Sequence, residues 1–162
     1  MKTTRRIALL GLTAALALAL SYVESLVPLS VGVPGVRIGF ANIAVIFALY
    51  RLSAGDAAVI SGVRILGVAL LFGNWMATAY SVAGAVLSLL GMALLRRFTK
   101  LAVPTVSAVG GVLHSAGQIV VAVAVTGTAQ IAWYLPVLVL TGTVAGVVIG
   151  LVGALLVTRV KI

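Results

Sequence analysis

Ala57-Ala58-Val59-Ile60-Ser61-Gly62-Val63-Arg64-Ile65-Leu66-Gly67-Val68-Ala69-Leu70-Leu71-Phe72 carries a single charge, and that charge sits at its centre. As a helix rising about 1.5 Å per residue it covers roughly 24 Å, most of a hydrocarbon core about 30 Å thick. A soluble protein can also bury such a helix, so the rest of the chain decides. Of its 162 residues 63% are hydrophobic and only 8% charged. A soluble domain carries about 25% charged and about 45–50% apolar residues. A water-soluble fold is excluded, and so is disorder, which needs few hydrophobic residues and many charges. The expected class is an all-α membrane protein, with residues 1–162 as one integral membrane domain.

Working outward from 57–72, turn-like breaks separate further apolar runs. They are Pro28 to Gly39, Ser53 to Asp56, Gly73-Asn74, Arg96 to Lys100 and Thr126 to Thr128. The reading is six transmembrane helices: Ile7 to Val23, a short Ala41 to Leu52, Ala57 to Phe72, Met76 to Leu95, Val103 to Val125 and Ile131 to Val157. If the spans alternate, Lys2, Arg5, Arg6, Arg51, Arg96, Arg97, Lys100, Arg159 and Lys161 all fall on one side. Lys and Arg are retained inside during insertion, so both termini are expected in the cytoplasm. The location is then the cell membrane of a prokaryote, crossed several times. The net charge of +9 is mostly topology, and no nucleic-acid partner is expected. Tyr22, Trp75, Tyr80, Trp133 and Tyr134 fall near the outer interface, where amphipathic rings prefer to sit. Met1 to Ser25 also has the basic start and apolar stretch of a signal peptide. The even span count favours its retention.

The stretch after the first span, punctuated by Pro28, Gly32, Pro34, Gly35 and Gly39, reads either as a lid at membrane depth or as a plain outer loop. Arg64 must face the bundle, since a cation at a helix centre costs about 2.5–3.5 kcal/mol on insertion scales. It either grips an anionic ligand with two parallel hydrogen bonds or is held internally, by Glu24 or by loop carbonyls. Glu24 could pair with Arg37 or Arg64 or meet a ligand. Arg37 is a loop charge or a second anchor. Asn42 is a helix cap or a pocket donor. His114 and Gln118, four residues apart, share a helix face. They bond across helices or orient a ligand. Thr141 and Thr143 are weaker candidates, because Thr bonds freely back to its own helix. Asn74 and Tyr80 could line the outer mouth.

Two runs of small residues stand out, Gly11-xxx-Ala15-xxx-Ala19 and Gly142-xxx-Gly146-xxx-Gly150. Such stripes let another helix approach closely. The second is expected to pack within the chain and the first to serve as a partner interface at least as well. Other chemistry is missing. No Cys is present, and two acids with one His leave too few ligands for a metal cage. There is no phosphate-binding glycine loop ending in Lys-Ser/Thr. Neither an Asp cluster nor a Ser–His–acid set can be assembled. The expectation is no enzyme, no metal and no cofactor.

The blocks Glu24-Ser25 with Pro28, Pro34 to Ile43, Arg64 to Gly67 with Phe72-Gly73, Ser81 to Gly84, His114 to Gln118, and Tyr134-Leu135-Pro136 to Gly142 resemble the Gx transporter family. That family is also labelled heptaprenyl diphosphate synthase component I. Ser115 stands where many relatives have Asn. The family is similar to the substrate-binding S components of energy-coupling-factor transporters. The resemblance implies an S-component-like bundle that captures a small vitamin-like, isoprenoid or quinone-related solute, expected to be anionic, from outside. A transmembrane coupling protein with two ATPase subunits would be the partner, met by Gly11, Ala15 and Ala19. Arg64, Arg37, Asn42, His114, Gln118 and Glu24 are the substrate-binding candidates. The alternatives are a non-catalytic subunit supporting polyprenyl diphosphate or quinone synthesis, and a stand-alone secondary carrier.

Overall fold

The computed structural model describes residues 3–26, 39–72 and 75–160. Six α-helices follow in order: α1 Thr3–Leu26, α2 Asn42–Arg51, α3 Ala54–Phe72, α4 Trp75–Phe98, α5 Val103–Thr126 and α6 Leu135–Arg159. A 3₁₀ segment, Ala129–Tyr134, leads into α6. No strand occurs among the described residues. Five of the helical segments are long and apolar enough to cross a membrane; the last combines the 3₁₀ segment with α6. The short second helix departs from the expected span. At 10 residues it extends about 15 Å, half of a hydrocarbon core, so as a helix it cannot cross alone. The last span is also interrupted. Pro136, in the first turn of α6, has no N–H to continue the preceding turn, and the chain from Ala129 to Tyr134 is wound differently.

The helices are patterned inside out. The buried positions of α1 are Thr13, Ala17, Ser21 and Glu24, whereas Leu12, Leu16, Val23 and Leu26 face outward. Between helices in lipid there is little hydrophobic gain, so small and polar residues gather where helices touch. α2 is the exception. Ala44 through Leu49 are all buried, and they form the apolar centre with Ile60, Met92, Val106 and Ile149. The tightest seam joins α5 to α6. A Cβ on Gly146 would lie 2.7 Å from the Ser107 carbonyl oxygen and 2.8 Å from the Ala108 Cα. One on Gly142 would lie 2.8 Å from the Gly111 oxygen. The α6 stripe therefore packs within the chain, as expected.

Three contacts gather the basic residues at one end of the bundle. Arg6 forms an ion pair with Asp56 at 2.7 Å. Arg51 donates to the Val160 carbonyl. Arg96 donates to the Tyr50 carbonyl at 3.4 Å and lies over the Tyr50 ring. At the other end Trp75 and Trp133 are 83% exposed and Tyr22 and Tyr134 about half exposed, in keeping with an interfacial belt. Tyr80 is not part of it; it is buried, one turn further into α4, where its ring faces the bundle.

Candidate functional site

Shaving side chains off α5 and α6 brings their backbones together and leaves space beside the seam. A cavity of about 440 Å³ lies among α2, α4, α5 and α6. Asn42 and Phe40 stand at the end toward the start of α2. Gly110, Gly111, His114 and Ser115 form the α5 wall, and Leu138 to Ile149 the α6 wall. Ile46, Ser88 and Met92 line the far end, with Ser107. Apart from a few polar groups the wall is apolar, the usual composition of a small-molecule site. No Lys, Arg, Asp or Glu lines it among the described residues.

Two of the polar groups at the wall are already engaged. Ser115 Oγ donates to the Leu138 carbonyl at 3.0 Å, across the seam. Thr141 Oγ1 donates back along α6 to Val137 and Leu138. His114 is different. It is only 6% exposed, with Nδ1 buried against Gly84 of α4. Its ring fills the space over Gly84, where a Cβ would come within 2.8 Å of it. The ring therefore meets the cavity with its other edge.

Asn42 is the first residue of α2, and Ala41 holds the cap position without a side-chain cap bond. Of its two readings, cap or pocket donor, only the place at the cavity wall is observed. The turn before it needs glycine. Gly39 has φ of +90°, and a Cβ there would lie 2.9 Å from Asn42 Nδ2. The Gly39 N–H donates to Glu24 Oε1 at 2.5 Å. Glu24 is buried, and Oε2 is left without a partner. The carboxylate thus ties the end of α1 to the start of α2, and no Glu24–Arg64 ion pair forms.

Gln118 is buried one turn beyond His114, with Oε1 unpartnered, and is not on the cavity wall. Arg64 is buried too, but it lines a separate crevice of about 10 Å³ with Thr78 and Ser81 of α4. Arg37, Asn74 and the proposed lid between 27 and 38 lie outside the described residues. The structure therefore brings Asn42 and His114 to one cavity and sets Arg64 apart from it. The apolar wall itself was missed in the sequence. The signal available was Gly111 facing Gly142 and Gly146; the α6 glycines were read only as packing. On α1, Gly11, Ala15 and Ala19 are exposed, and a Cβ on Gly11 would meet nothing within 4 Å.

A helical bundle with five long apolar segments is a multi-pass membrane protein. The chain belongs to the heptaprenyl diphosphate synthase component I family, whose profile matches residues 13–156. This is the family that the Pro34 to Ile43 and His114 to Gln118 blocks resemble. No curated protein and no solved structure matches the chain.

Proposed function

We propose that the chain is a non-catalytic substrate-binding subunit of an energy-coupling-factor type importer. The single observation carrying this reading is the 440 Å³ cavity walled by Asn42 and His114 among apolar side chains. A protein that only scaffolded others would have no need to keep such space open, since cavities cost stability. In this reading the cation-rich end faces the cytoplasm of a prokaryote and the solute is taken from the outer side of the membrane. Asn42 and His114 orient it. Glu24 fixes the α1–α2 junction beside it. Gln118, Arg64 and Arg37 act around the site rather than on the cavity wall described. The exposed small-residue face of α1 receives the coupling protein, and two ATPases on that protein supply the energy.

The test is reconstitution. Proteoliposomes holding the chain with coupling protein and ATPases should take up a candidate solute only with ATP inside the ATPase compartment. Uptake by the chain alone would identify a stand-alone carrier and refute the reading. A second reading is favoured by the family's own description: a membrane subunit supporting polyprenyl diphosphate synthesis. Co-purification with a soluble prenyl synthase, in place of a coupling protein, would establish it.

A further inference from the structure

We infer that the cavity takes an uncharged, single-chain amphiphile that enters sideways from the bilayer, with its head at His114 and Asn42 and its tail toward Met92 and Ile149. This rests on the ligand-binding reading above and names the ligand's class and route.

The shape of the space comes first. Its α6 wall runs from Leu138 to Ile149, which at 1.5 Å per residue is about 16 Å. A volume of about 440 Å³ spread over that length leaves a slot suited to one hydrocarbon chain. His114 and Asn42 lie toward one end, and the remainder is lined mostly by aliphatic side chains, Met92 and glycine, with the small Ser88 and Ser107 hydroxyls among them.

The opening comes next. Leu140, Val144 and Val148 stand four residues apart on α6 and line the cavity. They are also 66%, 58% and 53% exposed. A residue can do both only where the cavity reaches the outer surface of the helix. These three occupy the interior of a segment long enough to span the membrane. The aperture is therefore at hydrocarbon depth, where acyl chains rather than water meet it.

Charge decides the head. Among the described residues no Lys, Arg, Asp or Glu lines the slot; Arg64, though within electrostatic reach of His114, lines a separate crevice. Burying a phosphate or carboxylate without a cation costs far more than burying a hydroxyl that finds a hydrogen bond. His114 and Asn42 are the polar side chains at this end of the slot, whereas the Ser115 and Thr141 hydroxyls are taken up by α6 carbonyls. A hydroxyl or carbonyl head matches this inventory.

The full chain in phosphatidylcholine nanodiscs would be exposed to diazirine-bearing farnesol or diazirine-bearing farnesyl diphosphate. Adducts would be mapped by mass spectrometry. The alcohol should label α6 between Leu138 and Ile149, and unmodified farnesol should compete. The diphosphate should label at least ~10-fold less, a difference of about 1.4 kcal/mol. Val144→Trp should close the aperture and cut labelling by a similar factor, while Val147→Trp, exposed on the same helix but off the cavity, should not. Both tryptophans point outward, and an unchanged unfolding temperature shows that each variant is folded. Equal or stronger labelling by the diphosphate overturns the uncharged head. Full labelling of a folded Val144→Trp overturns the lateral route. If neither probe labels while the chain still co-purifies with a coupling protein, this inference fails and the importer reading stands. If the alcohol labels the slot but the chain purified from its native membrane brings down no coupling protein, the slot is sustained and the importer reading is refuted.

Discussion

Gly11-xxx-Ala15-xxx-Ala19 on α1 and Gly142-xxx-Gly146-xxx-Gly150 on α6 have the same spacing and opposite surroundings. The α6 stripe lies against the α5 backbone, so closely that a Cβ on Gly150 would sit 2.6 Å from the Pro104 Cα. The α1 stripe lies on the outside, with open space over Gly11. The inward face of α1 is a different one, Thr13, Ala17, Ser21 and Glu24. Small residues at a spacing of four make a helix face approachable. Whether anything in the same chain approaches it depends on the rest of the bundle. The α6 stripe is spent on assembly. The α1 stripe is what assembly leaves over.

The comparison breaks most visibly if both stripes tolerate bulk. Gly146→Val should have the largest effect. Its side chain would meet the Ser107 carbonyl and the Ala108 backbone, neither of which can rotate away. A loss of at least about 1–3 kcal/mol is expected, read as a lower unfolding temperature in detergent. Gly11→Leu should leave that temperature unchanged to within about 0.5 kcal/mol. Its effect should appear elsewhere, as an approximately tenfold weaker recovery of the coupling protein, or about 1.4 kcal/mol. A stability loss at Gly11 equal to that at Gly146 would erase the distinction.

The sequence made the helices legible because lipid enforces long apolar runs, and five such segments are present. It made α2 less legible. Ala41 to Leu52 is as apolar as its neighbours, and only its length separates a half-crossing element from a span. The start of α6 was misplaced because Ile131, Trp133 and Tyr134 continue the hydropathy across a boundary that Pro136 sets by geometry. Tyr80 was assigned to the outer belt because depth along α4 was visible and facing direction was not. The site divided in the same way. Periodicity placed His114 and Gln118 on one face, and the structure does bury both. It could not place Arg64 relative to them, because that depends on which helices α3 touches. The cavity is the least legible feature. It is made by atoms that glycine lacks, on two consecutive helices whose facing sides the spacing alone does not pair.

Hydroxyl deletions sharpen the same contrast on a finer scale. Ser115 sits at the seam, and its bond to the Leu138 carbonyl is possible because Gly111 and Gly142 let the backbones close. Ser115→Ala removes an interhelical bond, for which about 0.6 kcal/mol, and at most about 1.7, is expected in a membrane protein. The same unfolding assay reads it.

Thr143→Val should do least. Thr143 Oγ1 donates at 2.7 Å to the Val139 carbonyl of its own helix. That carbonyl keeps its place in the helical ladder when the hydroxyl is gone. Valine has nearly the same shape, and its preferred rotamer in a helix is well defined. The expected change is below about 0.5 kcal/mol, and labelling of the cavity should not alter, since Thr143 is not among its lining residues. The pair therefore measures something neither variant measures alone. Both residues carry a buried or half-buried hydroxyl bonded to an α6 carbonyl. They differ in whether the donor comes from a second helix. If Thr143→Val cost as much as Ser115→Ala, the α5–α6 seam would contribute nothing beyond ordinary side-chain burial. The close glycine contact would then be a by-product of packing rather than its cause.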